Sequence, residues 1–554
     1  MKTVAVVGVS AALALSACGV NDDSGDSSSG GDAAAVSAPD VPDDQIDPNG
    51  RYSLKISNPE NPLIPGNTTE SEGHQVMVAL FEPLVNYNED GTVAYTGVAD
   101  SVESDDNTNW TIKLKPGWTF HDGTPVNSDS FIKAWNYTAN SANLQGASYF
   151  FENVVGYDDL QAEEGQAPAA TEMSGLKKVD DTTFTVALNG PFAIFPTTLG
   201  YTAFEPLPEA FFANPEAFGK KPIGNGPFKA DTEFVQNRGI SLSRYDGYKG
   251  ENKAKSGGLD IKVVDEYNTA YTQVQANELD VMLQLPQNAY ETARTDFADH
   301  YAQTARSDIT SLGFPTYDPR FADPKVRLAF SKAIDREAIT KAIFKDTRTP
   351  ADSFASPVVS GYREGACGDP CAYDPEAAKQ MLEETGFDTS KPVDLWFNSG
   401  ADHDAWMEAV GNQLKQNLGI VDYKLDSLPF AEYLPTQKSK GMTGPFRMGW
   451  SMDYPSIYNF LAPVYSTAAT PPAGTNYTFY SSPEFDKALE DGNNADTADD
   501  ATSDYQKAED ILFQDLPATP LFYGLNQAVW SDRVGEIAIT RFNDVNPSSV
   551  VVKK

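Results

Sequence analysis

Trp110-Thr-Ile-Lys-Leu-Lys-Pro-Gly117, running into Phe120-His-Asp-Gly-Thr-Pro-Val126, is the stretch from which the architecture is read outward. From Asn109 to Lys115 polar and apolar residues alternate, the period of a half-buried strand. Pro116-Gly117 then ends it as a turn. Upstream, Tyr87-Asn-Glu-Asp-Gly91 reads as another turn and Tyr52-Ser-Leu-Lys-Ile56 as a strand entering a Pro/Asn-rich loop. Between them a short helix is predicted over residues 74–86, carrying Val76, Val78, Ala79, Leu80 and Phe81. Downstream, Asn127-Ser-Asp-Ser130 offers an N-cap ahead of Phe131 to Ala139. Asp323-Pro324 places a cap before a proline at the first helical position, and Val326, Phe330, Ala333 and Ile334 recur behind it at helical spacing. Asp374-Pro375 repeats the device, with Ala378, Met381 and Leu382 as the stripe and Gly386 as the stop. Strands at 259–264, 393–397 and 423–425 are interleaved with these helices, which indicates α/β layers.

The first residues carry an address. Lys2 precedes an apolar run from Val4 to Leu13, long enough for a signal-peptide core and too short to span a bilayer. Leu15-Ser-Ala-Cys18 resembles a bacterial lipoprotein box, which implies cleavage after residue 17 and a lipid on Cys18. The alternative is an ordinary secretory signal with a chance cysteine. Residues 19–47 are almost entirely Gly, Ser, Asp, Ala and Pro, too poor in apolar surface to offset the entropy of ordering. They are expected to tether a folded body outside the cell membrane.

The remaining stretch, about residue 48 to 554, exceeds a single hydrophobic core. The net charge of -38 argues against nucleic acid and against electrostatic docking on anionic lipid. Of the three cysteines, Cys367 and Cys371 remain once Cys18 is set aside, and an oxidising compartment favours a disulfide between them. The histidines His74, His121, His300 and His403 are scattered, so neither a metal nor a cofactor is expected. His121 and the tryptophans Trp110 and Trp118 read as packing residues.

Several segments taken together resemble the extracytoplasmic solute-binding proteins of ABC importers, peptide/nickel-type family 5, nearest its oligopeptide- and dipeptide-binding lipoproteins. They are Leu80-Phe-Glu-Pro-Leu84, Gly97-Val-Ala-Asp100, the opening stretch, Pro222-Ile-Gly-Asn-Gly-Pro-Phe228, Asn277-Glu-Leu-Asp280, Asp323-Pro-Lys-Val-Arg327, Ala333-Ile-Asp-Arg-Glu337, and Gly449-Trp450 with Asp453-Tyr454. The resemblance implies a periplasmic-binding-protein type II (cluster C) fold: α/β, two lobes around a cleft, plus an extra domain. Lobe I would comprise 48–81, 205–312 and 525–554, the extra domain 82–204, and lobe II 313–524. Hinge closure on the ligand, and delivery to an ABC permease and ATPase complex by a monomer, come with that resemblance.

Arg447-Met-Gly-Trp-Ser-Met-Asp453 is the candidate binding segment. In an extended strand Arg447, Gly449, Ser451 and Asp453 share one face, with Arg447 and Asp453 about 20 Å apart. That suits the two charged ends of a short peptide, an aspartate for the ammonium and an arginine for the carboxylate. Gly449 would let a ligand backbone approach, and Trp450 would form a wall. The resemblance assigns Asp453 to the amino-terminal anchor and Arg447 to a carboxylate contact. It also puts Thr69, Glu70 and Ser71 where a backbone strand flanks the ligand, and Gly146 where a cleft tyrosine can occur. The structural alternatives are a cap before Tyr454-Pro455 for Asp453 and a surface role for Arg447.

A non-catalytic peptide carrier is therefore the leading expectation. A relative with other cargo, such as an amine-bearing small molecule, haem, sugar or metal chelate, is the alternative. A secreted hydrolase is disfavoured, since neither a Gly-x-Ser-x-Gly elbow nor a His-Glu-x-x-His helix is present.

Overall fold

The computed structural model describes residues 41–162, 166–399, 403–471 and 474–554. The expected lipid attachment at Cys18, the leader before it and the spacer as far as residue 40 lie outside the described residues. The spacer predicted through Asp47 gives way to structure earlier than that. Asp43–Gln45 form a 3-10 turn, Ile46 bridges Lys553, and the Asp47 amide donates to the Val552 carbonyl at 2.8 Å. The C-terminal partner supplies the hydrogen bonds that composition could not reveal.

Two long antiparallel strands, Tyr301–Gly313 and Ala518–Trp530, form the middle of an 11-stranded mixed sheet. On one side the order continues through Phe446–Ser451, Val393–Asn398 and Tyr423–Leu428. On the other it runs through Val281–Leu283, Arg51–Ile56, Gly258–Val263, Gly239–Arg244 and Phe228–Ala230. The short strand Arg348–Pro350 pairs beside Ala518–Trp530, off this path. Pairing of the two long strands slips twice, and the larger slip comes first: Ala305 faces Leu525, but the next aligned pair is Ile309 with Tyr523; the second falls between Thr310 and Ser311. Arg306, Ser307 and Asp308 thus bulge against a single residue, Gly524, which bends a strand locally.

A separate antiparallel sheet of order Ala99–Glu103, Asn109–Leu114, Thr183–Ala187 and Leu176–Asp180 contains the stretch that opens this account. Trp110, Ile112 and Leu114 are buried and the residues between them are not, as the period-two alternation requires. Helix Ser128–Ala139 begins at Asn127 through a reciprocal capping box with Ser130. It seats Phe131 and Trp135 against Phe184. Trp118 is buried against Tyr248, and His121 ties its turn to Gly224–Gly226. The Gly224 amide donates to Nδ1 of His121, and burial pushes that imidazole down to about 4, so it is neutral.

Two helix expectations shift. The apolar helix is Ser71–Leu80 rather than 74–86: the Glu70 carboxylate caps it by accepting from Gly73, and Pro83 keeps Glu82 out of helical geometry. The Asp323-capped helix stops at Lys332, and Asp335 caps a second one, Arg336–Ala342, so Ala333 and Ile334 are buried in the joint. Helix Pro375–Thr385 starts at Asp374 and ends at Gly386 in left-handed conformation, as its signals require. Cys367 and Cys371 are disulfide-bonded, with Cα atoms 5.6 Å apart. Among the described residues no helix is long and apolar enough to cross a membrane.

Candidate functional site

Phe446–Ser451 lies beside the long strand Tyr301–Gly313, with Gly449 opposite Thr310 and Ser451 opposite Asp308. Met448 is buried on the face away from Arg447, Gly449 and Ser451, so the alternation holds to Ser451. The strand ends there, two residues short of Asp453. Asp453 therefore does not take its direction from strand periodicity. Asn459, in helix Ile457–Tyr465, sets it instead. Its Oδ1 accepts from the Asp453 amide at 2.9 Å and from the Trp450 indole at 3.2 Å, while its Nδ2 donates to the Asp453 carboxylate at 3.0 Å. Trp450 is half-buried and acts in this network as a support for Asp453.

Nothing positively charged pairs with that carboxylate among the described residues. Burial pushes Asp453 up to about 6, with Asn459 and Tyr149 favouring the ionised form. Tyr149 is 47% exposed and stacks closely on Phe150, which stacks on Tyr201 at 4.4 Å between ring centroids. Tyr201 continues to His74, and His74 to Phe542. An aromatic wall thus faces an aspartate, the environment that favours an ammonium. Gly146 carries no ring itself, and Tyr149, three residues on, interacts with the Asp453 carboxylate. A Cβ on Gly146 would come within 3.3 Å of Thr69, so this loop and Thr69 line the same wall.

Thr69, Glu70 and Ser71 lie outside any strand. Glu70 is extended, Ser71 opens the helix, and one Glu70 oxygen caps Gly73 at 2.7 Å. The other, Oε1, is buried without a partner, and burial raises this carboxyl above its ordinary value.

Arg447 occupies the opposite end. Its Nε is buried without a hydrogen-bond partner, and no ion pair engages its guanidinium among the described residues. A Cβ on Gly449 would sit 2.7 Å from Arg447 Nη2. The room that Gly449 provides is thus filled by this guanidinium, not left for a ligand backbone. Two groups that the spacing did not indicate join Arg447. Arg348 donates to Thr310 Oγ1 at 3.1 Å, and His403 accepts from the Trp406 indole at Nδ1, also at 3.1 Å. Burial and the neighbouring charges of Arg447 and Arg348 push His403 down to about 3. It is a neutral imidazole, leaving a carboxylate the cations it needs. Arg348 also lines a cavity of about 690 Å³ beside the long strands, with Arg306, Asp308, Tyr267 and Gln527. No group of three or more metal-ligating side chains occurs among the described residues.

If Asp453 holds a cationic amine, its raised carboxyl would make that binding pH-dependent. Below pH about 6 it gains a proton, and affinity for an ammonium is expected to fall by up to about tenfold per pH unit. The ligand-free protein shows the opposite linkage. Its raised carboxyl binds more protons folded than unfolded between 3.8 and about 6, so this group's contribution to stability declines as pH rises through that window. Calorimetry at several pH values, in buffers of different ionisation enthalpy, would detect proton release on binding near pH 6; its absence would contradict the assignment.

The comparisons identify the family and the fold. Residues 94–472, more than half of the chain, match the family model described as "Bacterial extracellular solute-binding proteins, family 5 Middle". The periplasmic murein peptide-binding protein MppA of Escherichia coli K12 is 27% identical over 464 residues, covering 82% of this chain and 83% of its own. The structure titled as the unliganded open form of MppA superposes with a TM-score of 0.77 at 23% identity, over 92% of this chain and 98% of that one. The oligopeptide-binding protein OppA of Bacillus subtilis 168 is 27% identical over 498 residues, 86% of this chain and 88% of its own. Heme-binding protein A of Haemophilus influenzae Rd is 24% identical over 494 residues, 85% and 86% of the two chains. The fold is the type II arrangement of such binding proteins, and the chain belongs to the family 5 bacterial extracellular solute-binding proteins.

Proposed function

We propose that the protein is a non-catalytic carrier that captures short peptides outside the cell membrane and delivers them to an ABC permease and ATPase complex. The observation that carries this reading is a pair of complementary ends. Among the described residues, Asp453 has only neutral partners beside an exposed tyrosine, and Arg447, whose Nε has no hydrogen-bond partner and whose guanidinium makes no ion pair there, lies next to Arg348 and a neutral His403. A zwitterion with separated termini fits that pair. Thr69, Glu70, Ser71, Trp450 and Ser451 would flank it.

In this reading 48–81, 205–312 and 525–554 form one lobe and 313–524 the other, with 82–204 as the extra domain. The long strands Tyr301–Gly313 and Ala518–Trp530 would be the hinge about which the lobes close. A lipid on Cys18 would hold a monomer at the membrane. The names of the peptide-binding relatives support the cargo class, while the haem-binding relative marks the competing one.

Native mass spectrometry of the protein purified from its own cells would weigh a retained ligand. Peptide masses, and loss of rebinding once their amino termini are acetylated, are the expected results. A single non-peptide mass would replace the peptide reading with another cargo.

A further inference from the structure

The loop Thr540–Asp544 contacts the strand bulge, the Val358 loop, the Asn88–Glu89 turn and the aromatic wall, through Asn543, Arg541, Phe542 and Asp544. Asn543 sits at φ 67, a left-handed conformation that asparagine tolerates better than most residues. From there its side chain fills the bulge in the long strand. Its Oδ1 accepts from the Ser307 amide at 3.1 Å and from Asn526 on the partner strand at 3.0 Å, and its Nδ2 donates to Ser307 Oγ at 2.7 Å. The bulge had removed Ser307 from the strand ladder, so Asn543 replaces lost partners. On its other side, Ser307 accepts from the Met452 amide at 2.8 Å, one residue before Asp453.

Arg541 reaches in another direction. One guanidinium nitrogen donates to the Val358 carbonyl at 2.6 Å, the other to the carbonyls of Asn88 and Glu89 at 2.5 and 2.9 Å. The Val358 loop is itself fastened at both ends. Ser356 Oγ donates to Arg306 of the bulge at 2.7 Å, and the Ser360 amide donates to Pro455, two residues after Asp453. Phe542 and Asp544 close the circle on the aromatic wall, through ring contacts with His74 and Tyr87 and a 2.6 Å hydrogen bond between Asp544 and His74.

We propose that this loop is a pivot lock. Asn543 on the strand bulge and Arg541 across Val358 and the Asn88–Glu89 turn set the resting angle between the two halves of the large sheet. They thereby hold Asp453 at its distance from the aromatic wall. Both are positioning residues for ligand capture and touch no ligand themselves. The inference rests on the two-lobe hinge of the preceding section, but not on the cargo being a peptide.

Distances between spin labels test it without any ligand. With Cys18→Ser removing the one cysteine outside the disulfide, and with it the proposed lipid, Val179→Cys and Val421→Cys place labels on exposed positions of the extra domain and second lobe, 62% and 53% exposed. Arg541→Ala and Asn543→Ser are each expected to widen the ligand-free distance distribution roughly twofold. Arg541→Lys should recover most of the original width, since an ammonium can still bond more than one of the three carbonyls. Unchanged distributions in both variants would overturn the proposal. So would a broadening that lysine does not rescue and that accompanies a general drop in melting temperature. Should Arg541→Ala fail to fold, Asn543→Ser gives the same readout, and an unchanged distribution in it alone overturns the proposal.

Discussion

Asp453→Asn is expected to weaken binding of peptides with a free amino terminus by about tenfold to a hundredfold, and to leave acetylated peptides unaffected. The substitution keeps shape and removes charge. Asparagine Oδ1 can still accept from Asn459 Nδ2, so the Trp450–Asn459 support survives and the fold stays as it is. What goes is the charge-assisted bond to the ammonium, worth about 1.5–3 kcal/mol. Leaving a ligand ammonium enclosed without its counter-charge pushes the loss towards the upper end of that range. The same variant should abolish proton release near pH 6, because that titration belongs to Asp453. Calorimetry returning wild-type affinity for a free-amine peptide would remove Asp453 from the anchor role and leave it a structural cap.

Arg447→Met comes second in size. A carboxylate held by a guanidinium that has no competing partner should lose about 1.5–3 kcal/mol when that cation is removed. Peptides with a free carboxyl terminus should therefore bind about tenfold or more weakly, while C-terminal amides, already lacking the charge, should barely change. A second measurement needs no ligand. Arg447 is one of the charges that hold His403 in its neutral form, so the imidazole's proton affinity should rise in the variant. Its ring resonances would report that titration by NMR. Equal losses for acids and amides would mean that Arg447 acts through packing rather than through charge.

Much of this was legible in the chain because it is local. Asn109–Leu114 alternates because one face of its sheet packs inward, and Asn127, Asp323 and Asp374 each satisfy helix amides within three residues of themselves. The candidate binding segment was legible for the same reason as far as Ser451. Beyond it, direction depends on Asn459, whose side chain reaches back six residues from a helix. Tyr149, Arg348 and His403 come from segments remote in sequence, and no spacing brings them to Arg447 or Asp453. Gly449 carries the clearest lesson. A missing side chain invites a ligand, but the neighbour two residues away on the same face lies in that space.

The two ends of the described chain are woven together. Ile46 bridges Lys553, Tyr52 donates to the Pro547 carbonyl, and Gln75 exchanges two hydrogen bonds with Val545. The first strand thus cannot complete its surroundings until the last fifteen or so residues have been made, and contacts so distant in sequence slow folding. For a polypeptide proposed to cross a membrane before it works, such a delay would keep the nascent chain threadable until residues 545–554 have emerged.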